Sequence, residues 1–362
     1  MASRGAWWKV AVMRVGVIPE NLGERLALAL GVVPTPLANT LVGLLLARTI
    51  MAATKLGIFD ALARDPLTAE EVAGRCDTDA AATGKILRSL VSAGLLRVNG
   101  DHYRLAPVAA KWLRTESPRS LHDSVLFSFV EMEILDHLED YVRTGTALDV
   151  HRRELAPEVL RLYHRGMCSR AALSAAEVAR RTPVPKGARD MLDIGGSHGL
   201  YSTAICRRHS GLQATILELP AAIDHAAPLL AREGMGDRVI HRAGDVLTED
   251  LGSAAYDLVF LSQIVHHFDA DTNRQLAVRI TRALRPAGVM VIQEVIRTAQ
   301  PSAAGQMAGL LDLYFALTSE AGTWACEEMA AWQTAAGLIS QRPRWLRTLP
   351  GVAQQWAIKP AR

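Results

Sequence analysis

Between residues 189 and 295 five short apolar runs alternate with amphipathic helical segments, and nothing else in the chain constrains the fold as strongly. The runs are Arg189–Ile194, Leu212–Leu219, Arg238–Arg242, Asp257–Ile264 and Gly288–Val295. Alternation of this kind specifies an α/β sheet, largely parallel, with helices on both faces. Two further candidate strands, near Arg342–Leu346 and Val352–Ile358, flank a turn at Pro350-Gly351 and predict an antiparallel hairpin at one sheet edge. Ahead of the first run, Pro183, Pro185 and Gly187 punctuate the chain and read as a linker.

The N-terminal part has a different rhythm. Up to about residue 115 it reads as helical, with Leu41, Leu44, Leu45, Ile50 and Met51 at helical spacing. Thr68, followed three residues later by Glu71, has the form of a capping box. A helix over roughly Ala80–Ala93 carries Ile86, Leu87, Leu90 and Val91 on its apolar face. Leu95–Val98, the turn Asn99-Gly100-Asp101 and Tyr103–Leu105 then predict a β-hairpin. Helix, helix, hairpin is the winged-helix order, which often binds DNA. Here the second helix offers only Lys85 and Arg88, too few to neutralise phosphates or read base edges. Its apolar surface reads instead as a contact with another chain. A helical stretch from about Arg119 to Arg181 follows, with Pro157 starting a new segment.

Composition sets the bounds. The 362 residues are 49% hydrophobic and 21% charged, an ordinary globular balance at a length that implies two domains. A net charge of +3 gives no bulk attraction to nucleic acid or membrane. No run approaches the ~20 apolar residues of a bilayer span. Leu41–Leu46 is apolar, but Arg48 and Lys55 interrupt it, which reads as a buried helix. The apolar start Ala6–Val10 is broken by Lys9 and Arg14, and fits either a partner-covering arm or a surface-lying tail. Cys76, Cys168, Cys206 and Cys326 are scattered, which points away from disulfides or zinc and fits a reducing cytoplasm.

The strongest local signal is Met191-Leu192-Asp193-Ile194-Gly195-Gly196-Ser197-His198-Gly199, at a strand end leading into a helix near Leu200. Glycine allows unusual φ values and a close ligand approach, at the end of the sheet where ligands lie. Glu218, ending the next strand, is suited to accept hydrogen bonds from both hydroxyls of a ribose. The loop lacks the G-x-G-x-x-G spacing that a pyrophosphate needs, having Ser197 at the second spaced position. S-adenosylmethionine has no phosphate and tolerates this loop. Gly244-Asp245-Val246, after the third strand, places Asp245 to receive the adenine amino group.

Asp193–Gly199, Gly244-Asp245, Val265-His266-His267-Phe268 and Ala336-Gly337-Leu338 together resemble the S-adenosylmethionine-dependent O-methyltransferases of the plant caffeate and bacterial antibiotic type. Lys55–Leu62 resembles their N-terminal winged-helix dimerisation domain. The resemblance spans roughly residues 35 to 360. It implies a class I methyltransferase, Rossmann-like α/β sheet, plus a mainly α winged-helix domain. The division it suggests is an extension over 1–34, a dimerisation domain over 35–115, a helical connector lining the substrate pocket over 116–182, and a cofactor domain over 183–362. It implies a cytoplasmic homodimer that methylates a small, largely apolar, aromatic or polyketide-like metabolite without a metal, nucleic acid or membrane. Carried over by position, the cofactor contacts are Asp193, Gly195, Gly196, Glu218, Leu219, Gly244, Asp245, Val246 and Ser262. His266 falls at the general-base position, with Glu294 as the carboxylate that holds it. Met167, Met307, Leu311 and Tyr314 fall where the acceptor is lined.

A hydroxyl is a poor nucleophile while protonated, and imidazole is a suitable base because its ordinary pKa, about 6.5, lies near neutrality. The strand end aims His266 into the cleft, and Glu294 fixes the ring's tautomer. The family's second carboxylate falls at Thr323, which is not acidic. That departure leaves open methylation at carbon or nitrogen, or use of the cofactor without transfer. A small-molecule-sensing winged-helix regulator is the reading from another class. His198 reads as a solvent-side loop residue. The stripe Met307, Leu310, Leu311, Tyr314, Phe315 reads as core, with part of it lining an apolar acceptor pocket. Phe127, Phe129 and Met132 belong to that wall or to a dimer contact.

Overall fold

The structure is a computed structural model and describes residues 15–150, 156–298, 300, 305–319 and 321–361. The expected arm or tail at Ala6–Val10 lies outside them. The chain divides into two compact units, one of residues 14–131 and one running from residue 132.

In the first unit, Asn21 caps the helix Leu22–Ala29 by accepting the Glu24 N–H at 2.9 Å. A continuous helical run then spans Thr35–Lys55, with a π-turn at Ala38–Val42. Two expectations fail here. The run is not buried: Leu41 is 52% and Leu45 59% exposed, and only from Met51 onward does it enter the core. At 21 residues and a mean hydropathy of 1.5 it is also long and apolar enough, by length and composition, to cross a bilayer. Helical spacing identified its apolar face but carries no information on what covers that face. The capping box forms in both directions, Thr68 Oγ1 accepting the Glu71 N–H and Glu71 Oε2 accepting the Thr68 N–H. Helices Ala69–Cys76 and Ala80–Ser92 and the hairpin β1 (Leu96–Asn99) with β2 (His102–Leu105) close over Ile58, Phe59, Leu87, Leu90 and Tyr103. This is the helix–helix–hairpin arrangement the spacing predicts. Phe129 lies beneath the cations of Arg48 and Lys55, at 4.7 and 4.9 Å, so its ring is used inside this unit.

The second unit is built on one sheet. Helices Leu138–Thr144, Pro157–Ala172 (opened by its proline) and Ala175–Arg181 lead into β3 (Asp190–Ile194). There follow β4 (Gln213–Glu218), β5 (Val239–Ala243), β6 (Tyr256–Ser262), β7 (Leu284–Val295), β8 (Ile339–Ser340), β9 (Arg344–Trp345) and β10 (Val352–Ile358). The order is β5-β4-β3-β6-β7-β10-β8, with β9 also on β10; β3 to β7 are parallel, and β10 is antiparallel to β7, β8 and β9. Successive residues of β6 enter opposite cores, Val259 and Leu261 on one face and Leu258 and Phe260 on the other. Both faces are therefore covered by helices, as a parallel sheet requires.

The details depart from expectation in three places, the first being that β7 begins at Leu284 rather than Gly288. β6 stops at Ser262 rather than Ile264, because Gln263 turns left-handed at φ +58. The C-terminal hairpin exists, but its long strand β10 is internal, and the edge is left to the two-residue β8 and β9. Short edge strands limit pairing with other chains.

Candidate active site

The chain places β4 and β5 to one side of β3 and β6 and β7 to the other, so the strand order reverses between β3 and β6. Open α/β sheets bind ligands at the carboxyl end of such a switch point. Gly195 follows β3 there with φ +66, and a Cβ on it would lie 2.2 Å from Ile264 Cδ1. Gly196 sits on the Asp193 carboxylate, whose Oδ2 is 2.3 Å from where a Cβ would stand. Asp193 is buried beneath the loop and accepts a hydrogen bond from Ser202 Oγ at 2.5 Å. Burial raises its pKa to about 7, against the Ser202 bond and with a push from the Glu218 charge. It therefore forms the floor of the loop.

Above that floor four N–H groups of the loop and its following helix are engaged. The Gly195 N–H goes to Leu217 O, and the Gly199 N–H to Gly196 O. Ser197 donates its N–H to Glu218 Oε2 at 3.0 Å, and Leu200 donates to His198 Nδ1 at 3.1 Å. A phosphate needs free N–H groups at a helix N-terminus, and these four are already engaged. What the loop presents instead is an acceptor. Glu218 takes N–H bonds from Ser197 and Leu219, one on each oxygen, and a carboxylate has lone pairs left for two hydroxyls. Burial raises the Glu218 pKa, and the two backbone donors oppose it. The residues present fit a nucleoside ligand without phosphate.

Gly244 follows β5 and donates its N–H to Glu218 O, so the ends of β3, β4 and β5 lie side by side. Asp245 Oδ1 accepts the Leu247 N–H at 2.9 Å, while the Val246 side chain points into the core. Ser262 accepts from the buried amide of Gln293 at 2.9 Å. His198, expected at the solvent side, is buried instead. Burial, then the neighbouring His164 and His241, lower its pKa to about 3, so it serves as a neutral acceptor within the loop.

Beyond Ser262 a short 3-10 turn, Val265–His267, carries His266, which is 3% exposed. Glu294, on β7, holds it: Oε2 lies 3.0 Å from His266 Nδ1, and Oε1 accepts the N–H groups of Ile264 and Val265 at 2.8 and 3.1 Å. A carboxylate with three donors assigns the proton to Nδ1 and leaves the Nε2 lone pair as the basic position. No hydrogen bond to Nε2 occurs among the described residues. Phe315 stacks on the imidazole, with ring centroids 3.9 Å apart and planes within 10°.

Several supports of this turn escaped the sequence reading. Asn273 Nδ2 donates to Val265 O and Phe268 O, Trp324 Nε1 donates to Val265 O, and the Gly322 N–H reaches His266 O. Thr323 gives both its N–H and its hydroxyl to Asp312 Oδ1, at 2.7 and 2.5 Å. A carboxylate is thus present in that neighbourhood, supplied by the helix Gln306–Thr318. Asn273 had a usable signal, an amide one turn past Asp269, which caps the helix Ala270–Ala283 by accepting the Thr272 N–H; the Asp312 pairing had none. Of the residues expected to line the acceptor, Met167 and Tyr314 are half-buried and Leu311 packs on the core beside Phe315, while Met307 is 49% exposed. The stripe is therefore divided along its length.

Comparison with known proteins identifies the family and the fold. A family model described as an O-methyltransferase domain matches residues 134–338, and one described as an O-methyltransferase dimerisation domain matches residues 38–115. The chain is 30% identical to N,N-dimethyltransferase OxyT of Streptomyces rimosus, over 69% of this chain and 75% of that one. It is 27% identical to 3-hydroxy-5-methyl-1-naphthoate 3-O-methyltransferase of Streptomyces sahachiroi, over 73% and 77%. Among solved structures, human N-acetylserotonin methyltransferase in complex with SAM superposes with a TM-score of 0.78 at 20% identity, covering 94% of this chain and 99% of that one.

Proposed function

This chain belongs to the S-adenosylmethionine-dependent O-methyltransferase family, and on that premise we propose that it methylates a hydroxyl of a small, largely apolar, aromatic or polyketide-like metabolite, with His266 as general base. The observation that carries the proposal is the buried His266–Glu294 pair at the switch point of the sheet. When bound, the cofactor supplies a methyl group made electrophilic by a positively charged sulfur. The protein's own contribution is placement and proton removal. Glu218 takes the ribose hydroxyls, and Gly195, Gly196 and Gly244 lack the side chains that would collide with Ile264, Asp193 and Glu249 around it. His266 Nε2 takes the acceptor's proton, and Glu294 stabilises the imidazolium that results. Met167, Leu311 and Tyr314 supply an apolar wall that orients the acceptor, which is where much of the rate enhancement arises.

The naphthoate-methylating relative supports an aromatic hydroxyl as acceptor, and OxyT makes nitrogen the competitor to test. The reading includes a homodimer formed through residues 38–115, supported by the matching dimerisation model and the apolar face of the helix over 35–55. It also includes a cytoplasmic location, where the Cys76 thiol stays reduced. The test is a panel of hydroxylated and aminated naphthoates with S-adenosylmethionine, followed by the mass and methyl position of the product. The hydroxylated acceptors are expected to gain one O-methyl group; methylation confined to the amines would overturn the reading. His266→Ala is expected to lower kcat by about a hundredfold or more, with binding of S-adenosylhomocysteine retained.

A further inference from the structure

We propose that His164 is a positioning residue for the cofactor: acting through Ser197, it holds the Glu218 carboxylate where the ribose is gripped. The inference rests on the reading of Glu218 as the ribose ligand. Ser197 stands in the left-handed region at φ +46, a conformation that a side-chain-bearing residue adopts only when its surroundings impose it. Three hydrogen bonds impose it. The N–H goes to Glu218 Oε2 at 3.0 Å, Oγ meets His164 Nδ1 at 2.7 Å, and the carbonyl accepts from His241 Nε2 at 2.7 Å. They come from three elements: the end of β4, the helix Pro157–Ala172 and β5. His164 is itself 3% exposed, and the His225 ring stacks on it at 6.2 Å from the helix that follows Glu218.

The hydroxyl is the only side-chain handle on the strained residue. Its N–H in turn supplies one of the two backbone donors that aim Glu218. Loss of the His164 contact therefore frees Ser197 to relax, and the carboxylate loses a fixed donor. Met167 lies three residues beyond His164, on the same side of one helix. The helix that fixes the cofactor loop thus also carries an acceptor-wall residue.

The test is titration of S-adenosylhomocysteine into four purified single variants and one double variant, with thermal unfolding measured on each. His164→Ala and Ser197→Gly are each expected to raise Kd by about tenfold, the equivalent of one hydrogen bond. Glycine suits φ +46, so Ser197→Gly removes the hydroxyl without straining the turn. The double variant is expected to bind no more weakly than either single one, because both remove the same contact. His164→Asn, which sets a polar atom close to the Nδ1 position, is expected to restore most of the affinity; a purely space-filling role would give no such rescue. The KM for S-adenosylmethionine should rise with Kd, and kcat should change less. Wild-type affinity in both His164→Ala and Ser197→Gly, with binding lost in Glu218→Ala, overturns the role of His164. Wild-type affinity in Glu218→Ala overturns the reading beneath it.

Discussion

Glu294 has no exposed oxygen to spend on solvent: one is turned to His266 Nδ1 and the other to two backbone N–H groups, so the imidazole's orientation and that of its own turn are set by one carboxylate. The same economy operates at Asp193, where the consequence is measurable as a dependence on pH. Its folded-state pKa of about 7 lies above its ordinary 3.8, so the native protein keeps a proton that the unfolded chain releases. That contribution to stability is fully present below about pH 3.8 and is lost as pH rises through about 7. Asp193→Asn keeps the shape and removes the titration. Urea midpoints of wild type are therefore expected to fall relative to this variant between about pH 4 and pH 8. A constant difference over that range would contradict the buried, proton-holding carboxylate. At this scale the position of Glu218 was legible as a carboxylate closing an apolar run, whereas His266 and Glu294 were placed only through the family resemblance. The His164–Ser197 and His241–Ser197 contacts were not legible, since they join residues 33 and 44 apart with no local pattern to mark them.

Among the elements, the turn after β6 is the one on which the proposed proton removal depends, and it is held from outside itself. Asn273, on the helix Ala270–Ala283, bridges two of its carbonyls while 2% exposed. Asn273→Ala is expected to cost about 1–3 kcal/mol in urea unfolding. It should also lower kcat without weakening S-adenosylhomocysteine binding, because the turn and not the glycine loop loses its support. The predicted loss of stability with an unchanged kcat would show that the turn does not depend on this residue for aim. The alternation of strands and helices was readable because periodicity reports burial directly. The left-handed Gln263 that ends β6 early was not, since nothing in its residue type demands that conformation.

For the whole molecule, the apolar helix over 35–55 is the feature the single chain leaves unexplained by its own packing. Leu41 and Leu45 on its exposed face would be covered in the proposed homodimer. Leu41→Glu with Leu45→Glu is expected to move the sedimentation mass from dimer to monomer at micromolar concentration; a monomeric wild type would contradict the assembly. The sequence disclosed that this helix has an apolar face, and the fold disclosed that the face is open. Everything else in the account depends on the cofactor lying across the ends of β3, β4 and β5. Hydrogen–deuterium exchange with and without S-adenosylhomocysteine measures that placement most directly. The ligand is expected to slow exchange at residues 195–199, 218–219 and 244–246 together; protection confined to another part of the sheet, or none, would contradict it.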